Sequence, residues 1–222
     1  MSLSIRKRLS KNHKGQRILS KQHIRQAHGV DILLSSHKDL RRLKREQDEP
    51  SIHGHKVWGS SFLIMDYLDE NPPRKHSRVL ELGCGWGLGS IYCAKQHDAL
   101  VTGVDADDAV FPFLDLYAEH NGVVIETQKK RFDQLRKKDL EPYDLIIGSD
   151  ICFWDELADD LFKLIKRAIK AEVGKIIIAD PQRSPFTDLT ERCVDQFHAE
   201  CLSWSVNKPR KASGSLLVIE NA

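Results

Sequence analysis

Between Arg78 and Gly89 the chain reads Arg-Val-Leu-Glu-Leu-Gly-Cys-Gly-Trp-Gly-Leu-Gly, an apolar run that passes into alternating glycines and then into a helix-compatible stretch. Such a strand–turn–helix junction lets a ligand approach the main chain without meeting a Cβ, and the helix N-terminus that follows favours a carboxylate or phosphate. The spacing is G-x-G-x-G. A dinucleotide fingerprint counted from Gly83 needs glycine at position 88, where Leu88 stands, and Glu81 is an awkward neighbour for a pyrophosphate. A nicotinamide cofactor, and with it an oxidoreductase, is the lesser reading. About 20 residues further on, the run Val101-Thr102-Gly103-Val104 ends on Asp105, whose carboxylate can accept hydrogen bonds from both hydroxyls of a ribose. Alone, Asp105 reads equally well as a helix cap; paired with the turn, it indicates a nucleoside-bearing ligand.

The elements that must position these residues alternate short apolar runs with helical stretches. Strands are expected at Arg78–Leu82, Leu100–Val104, Val123–Thr127, Asp144–Gly148 and Lys175–Ala179, and helices near Leu88–Gln96, Ala109–His120 and Glu156–Ala171. Leu145-Ile146-Ile147 and Ile176-Ile177-Ile178 show no polar alternation, which suits interior strands covered on both faces. Leu202–Val206 and Ser215–Ile219 are strand-like with no room between them for a crossover helix, so they form an antiparallel hairpin. The predicted fold is α/β and doubly wound, a mostly parallel seven-stranded sheet ending in that hairpin. Upstream, Ser36 caps a charged helix that ends before Pro50. A second helix carries Val57, Ser61, Ile64 and Leu68 on one stripe and stops at Pro72-Pro73.

The 222 residues, 41% apolar and 30% charged, fit one folded domain with a short appendage. No run reaches the roughly 20 apolar residues that span a bilayer, and the first 30 residues lack a secretory apolar segment, so a cytoplasmic protein without a membrane partner is expected. Five cysteines without a Cys-x-x-Cys pair suggest reduced, packed thiols rather than disulfides or zinc. His53-Gly54-His55 has metal-like spacing but no third ligand nearby, so no metal is expected. The net charge of +2 hides an asymmetry, because residues 1–50 hold 13 Lys/Arg against 5 Asp/Glu while the remainder is acidic. Residues 1–50 are therefore read as a basic arm and charged helix, and 51–222 as the main domain. The first 28 residues carry eight basic and no acidic side chains; a mobile or loosely helical arm is expected there, either merely solvated or in contact with RNA, the ribosome or an acidic protein.

With the turn Glu81-Leu82-Gly83-Cys84-Gly85-Trp86-Gly87 and Asp105 in place, residues 56–220 resemble a seven-strand class I S-adenosylmethionine-dependent methyltransferase. Val57-Trp58, Ser149-Asp150-Ile151-Cys152-Phe153 and Asp180-Pro181-Gln182-Arg183 resemble the branch that methylates protein lysines, closest to enzymes acting on the β subunit of electron-transfer flavoprotein. Two positions depart from that pattern: Phe153 where tyrosine is frequent, and Gln182 where a glycine stands in D-P-G-R. The resemblance implies a cofactor site of Trp58, Glu81, Gly83, Cys84, Gly85, Gly87, Asp105, Phe132, Asp133 and Ser149. It further implies Asp150 and Phe153 as catalytic, with Trp154, Asp180 and Arg183 toward the substrate.

Methyl transfer from a sulfonium is an in-line displacement, so positioning and exclusion of water supply much of the acceleration without an activated serine or cysteine. A lysine acceptor has a reference pKa of about 10.4 and must lose a proton before attacking; burial beside aromatics lowers that value. Asp150 is expected to orient the amine, and Phe153 with Trp154 to hold the cation, although these aromatics are equally plausible packing residues and Arg183 can simply pair with Asp180. An RNA methyltransferase and a non-catalytic cofactor-binding partner stand as alternatives. Asn71-Pro72-Pro73, which resembles the N-P-P-[YF] of amino-group nucleic-acid methyltransferases, precedes the first strand instead of following the fourth and is set aside.

Overall fold

The computed structural model describes residues 23–47, 50, 54 and 56–221. An antiparallel hairpin of β1 (Ile24–Ala27) and β2 (Val30–Leu33) comes first, its strands joined through His28 and Gly29. Both joining residues have positive φ, 49° and 73°, as the tight two-residue hairpin turn demands. Helix α1 (Lys38–Glu46) and α2 (Ser60–Glu70) follow, then the alternating body: β3 (Arg78–Leu82), α3 (Leu88–His97), β4 (Leu100–Asp105), α4 (Phe111–Asn121), β5 (Glu126–Lys129), a short α5 (Lys137–Leu140), β6 (Leu145–Ser149), α6 (Asp155–Lys170), β7 (Lys175–Asp180), α7 (Ser184–Gln196), β8 (Ala199–Val206) and β9 (Ala212–Glu220).

Strands β3 to β9 form one seven-stranded sheet in the order β5-β4-β3-β6-β7-β9-β8, with β3 to β7 parallel and β9 antiparallel to both β7 and β8. The inner strands are mostly apolar, with Glu81 and Thr102 among the buried exceptions, because each face has its own core. Val79, Leu145, Ile147, Ile177, Leu216 and Val218 pack with α2, α3 and α4 on one side. Leu80, Leu82, Ile146, Ile176, Ile178, Leu217 and Ile219 pack with α6 and α7 on the other. Period-two side-chain alternation thus feeds two helical layers from the same run.

The structure differs from sequence expectation in several places, Val57 among them, which precedes α2 instead of lying on it. Residues 24–27, assigned to a basic arm, are strand: Ala27, Val30, Ile32 and Leu33 are buried, the Tyr117 hydroxyl donates to Leu33 O at 2.7 Å, and Asn121 bonds the Asp31 backbone at both its amide nitrogen and its carbonyl. Hairpin and α1 share a core with the body, so a boundary at residue 50 does not separate two packing units; the rest of the arm, residues 1–22, with His53 and His55, lies outside the described residues. The cap of α1 is His37, whose Nδ1 accepts from Asp39 N, because the Ser36 hydroxyl is engaged by His23. Strand β5 starts three residues late because Gly122, at φ 69°, and Val123 bond back to Ala118 O and close the end of α4. Helix α7 was not expected, although Pro185 in its first turn and buried Phe186, Leu189 and Cys193 mark it. The five cysteines are free, four of them buried.

Candidate active site

The glycine turn lies at the C-terminal end of β3, where the parallel strands open their ligand-bearing edge. Gly83 and Gly85 both have positive φ, but space constrains them differently. A Cβ on Gly83 would lie 2.6 Å from Ile151 Cγ2, whereas one on Gly85 would meet no atom within 4 Å and would project into the neighbouring cavity. Gly85 N donates to Asp105 Oδ2 at 3.0 Å, and Asp107 N to Oδ1 at 3.0 Å. Each carboxylate oxygen therefore holds one backbone donor and keeps a lone pair, a paired acceptor matched to a vicinal diol. Burial pushes the Asp105 carboxyl above its usual range.

Glu81 does not line this cavity. Its buried carboxylate accepts from Ser90 N at 2.9 Å and Ser90 Oγ at 2.6 Å, at the start of α3. The expected ligand residue is thus the acidic partner of a helix N-terminus, with its pKa pushed up by burial to about 7. Cys84 lines the cavity as a buried thiol whose pKa burial raises well above the ordinary value.

At the ends of β6 and β7 a second constellation forms. Asp150, non-glycine yet at φ 58°, turns its carboxylate back so that Oδ2 accepts from Ser60 N at 3.0 Å and Oδ1 from Arg183 Nη2 at 2.9 Å. Arg183 also donates to Asp180 through Nη1 at 2.7 Å and through its backbone at 2.8 Å. Asp180 is fully buried, and that burial raises its carboxyl to about 6 despite the guanidinium. The Arg183 guanidinium carbon lies 4.3 Å from the Phe153 ring centroid and 5.8 Å from that of Trp58. Trp58 meets Phe153 edge-on at 5.5 Å, and Trp154 follows at 5.9 Å. Asp180 and Arg183 thus stand behind the aromatic wall and brace it instead of lining the cavity.

The cavity between the two constellations measures about 310 Å³. It gathers Trp58, Gly83, Cys84, Gly85, Gly87, Asp105, Phe132, Asp133, Ser149, Asp150, Phe153 and Trp154 from across the sequence. Phe132 sits on a single 3-10 turn held by Arg167, which donates to Phe132 O at 2.7 Å and Leu135 O at 2.8 Å. Asp133 is paired by Arg131 at 2.7 Å and 3.0 Å, which lowers its carboxyl pKa. Sequence reasoning missed Lys56, whose ammonium lies 4.2 Å from the Trp58 centroid, and Ser61, whose hydroxyl meets that of Ser149 at 2.9 Å. It also treated Trp86 only as a spacer in the turn. This ring stacks on Phe113 at 5.0 Å and forms part of the cavity wall.

A family model described as lysine methyltransferase matches residues 37–196. The chain belongs to the lysine methyltransferase family. Among curated relatives, the electron transfer flavoprotein beta subunit lysine methyltransferase of Xenopus laevis is 28% identical over 131 residues, covering 59% of this chain and 52% of the relative. The histidine protein methyltransferase 1 homolog of Dictyostelium discoideum is 31% identical over 153 residues, 64% and 48% of the two chains. The chain thus spans about half the length of these relatives. Of solved structures, the ribosomal protein L11 methylase from Lactobacillus delbrueckii superposes with TM-score 0.54 at 18% identity, over 73% of this chain and 79% of that one. The 16S rRNA N2 G1207 methyltransferase of Thermus thermophilus gives 0.57 at 21% identity, over 78% and 45%. These likenesses establish the class I methyltransferase fold.

The cofactor of this lysine methyltransferase family member is S-adenosylmethionine, and the cavity passes a test of fit. The paired acceptors of Asp105 suit the ribose, the open space above Gly85 admits a ligand against the main chain, and Phe132 offers a buried ring beyond β5. No helix among the described residues is long and apolar enough to cross a membrane.

Proposed function

We propose that this chain transfers a methyl group to the side-chain amine of a lysine in a protein substrate. The observation that carries this reading is the meeting, in one cavity, of the Asp105–glycine edge with the Trp58, Phe153 and Trp154 wall. When bound, S-adenosylmethionine supplies an electrophilic methyl group. The chain's own residues then do three things. Asp105 and the glycine turn fix the nucleoside end, with Phe132 and Asp133 beside it. The aromatic wall presents π faces that hold the substrate cation and exclude water, and the reduced solvation favours loss of the amine proton to solvent before attack. Asp150, pinned by Ser60 and Arg183, keeps a free lone pair on each oxygen with which to orient the amine, and Arg183 and Asp180 keep the wall in place.

This reading carries a cytoplasmic location and assigns the basic N-terminal segment to an acidic partner, either RNA of the ribosome or an acidic protein surface. The test is incubation of cell extract with the protein and methyl-labelled S-adenosylmethionine, followed by ribonuclease, protease and amino-acid analysis of the labelled product. Label that survives ribonuclease and elutes as methyl-lysine supports the proposal. Release by ribonuclease alone, elution as methyl-histidine, or no labelled product despite cofactor binding refutes it.

A further inference from the structure

Outside the cavity, His120 at the end of α4 meets His37 and Asp39 at the start of α1. We propose that His37, Asp39 and His120 form a binding site for a divalent transition-metal ion of the zinc class, clamping α1 to the body. His37 Nδ1 lies 3.8 Å from Asp39 Oδ2, and His120 Nε2 lies 3.6 Å from the same oxygen. One ligand atom from each residue falls within 4.8 Å of the others. Tetrahedral coordination with metal–ligand bonds near 2.1 Å places ligand atoms about 3.4 Å apart, so closure on an ion needs shifts of a few tenths of an ångström at these two pairs and at most about 1.4 Å between the two imidazoles. Two imidazoles and a carboxylate are a donor set that suits zinc and leave a fourth position for water.

Independent features point the same way. His37 is 1% exposed, and its Nδ1, the nitrogen facing Asp39, makes only a long 3.4 Å cap contact with Asp39 N, which an ion would replace. The two rings stand perpendicular at 5.0 Å. Among the described residues the other charged group facing the Asp39 carboxylate is Arg42, at 3.6 Å on a largely exposed side chain free to swing away. The site has a structural reach, because α1 also carries Lys44, whose ammonium lies 5.1 Å from the ring centroid of Trp86 in the cavity wall. An ion here would fix the helix that lies over that wall.

The test uses the full chain, stripped with chelator and titrated with Co²⁺ without cofactor, read by visible absorption and by metal analysis after gel filtration. Expected is one equivalent of Co²⁺ with the intense bands of a tetrahedral N/O site, displaced by Zn²⁺. His120→Ala and Asp39→Asn should each weaken binding at least tenfold while leaving the metal-free circular dichroism unchanged, and Zn²⁺ should raise the Tm of the parent chain but not of either variant. Absence of the bands, or an equivalent retained by both variants, overturns the site.

Discussion

Glu81 offers a stringent check on the site, because a fully buried carboxyl with its pKa moved from 4.5 to about 7 couples folding to pH in a defined direction. In the unfolded chain this group releases its proton near pH 4.5, whereas in the folded protein it holds it until about pH 7. Across that window the folded state binds more protons, so stability falls as pH rises and then levels off above pH 7. A displacement of about 2.5 pH units at 1.36 kcal/mol each sets a ceiling of about 3 kcal/mol. Glu81→Gln removes the titration. It also loses an acceptor at the start of α3, so its absolute stability is not the readout. Urea unfolding of both proteins without cofactor, from pH 5 to pH 8, supplies the measurement, because titrations common to both cancel in the difference. The stability of the variant relative to the parent should rise by up to about 3 kcal/mol with increasing pH. A difference constant to within about 0.5 kcal/mol across the range would show that Glu81 is ionised throughout and that the burial argument is wrong.

Asp105→Ala removes both outward acceptors, and at about 1.5–3 kcal/mol for each charge-assisted bond the Kd for S-adenosylmethionine should rise at least about 100-fold by calorimetry; unchanged affinity would remove Asp105 from the ribose site. Arg183→Ala strands the buried carboxylates of Asp150 and Asp180 and should cost about 3–5 kcal/mol in denaturant unfolding, partly restored by lysine; a loss below about 1 kcal/mol would mean the cluster does not brace the wall. Gly85→Ala places a methyl group in the cavity at a positive φ, so cofactor affinity should fall at least tenfold while stability drops by only about 1 kcal/mol. Gly83→Ala meets Ile151 and should lose more stability than Gly85→Ala; the reverse order would contradict the packing.

The sheet was legible because its determinants are local. Uninterrupted Ile146-Ile147 and Ile176-Ile177-Ile178, short and β-branched, suit interior strands, and Pro72-Pro73 cannot continue a helix. The places of the glycine turn, Asp105 and the residues after β6 at one edge of the sheet were legible for the same reason, each being the end of such a strand. What escaped depends on partners remote in sequence. Glu81 reads as a ligand residue until Ser90 is seen to donate to it from the start of α3, and Arg183 reads as a substrate contact until its three hydrogen bonds to buried carboxylates turn it inward. Ile24–Ala27 looks like the end of a basic tail because the apolar surface that folds it lies on α4, more than 80 residues away. His37 and His120 carry no signal at all in one dimension.

That hairpin has a practical consequence for anyone trimming the protein to a minimal catalytic unit. A truncation starting at residue 51, where charge composition suggests a natural cut, would remove Val30, Ile32, Leu33 and Leu40 from the shared core. It would take from the Tyr117 hydroxyl its acceptor at Leu33 and from Asn121 its two bonds to the Asp31 backbone. Such a fragment would present a sticky apolar face next to Trp86, and its aggregation could be mistaken for an intrinsic defect of the cofactor fold.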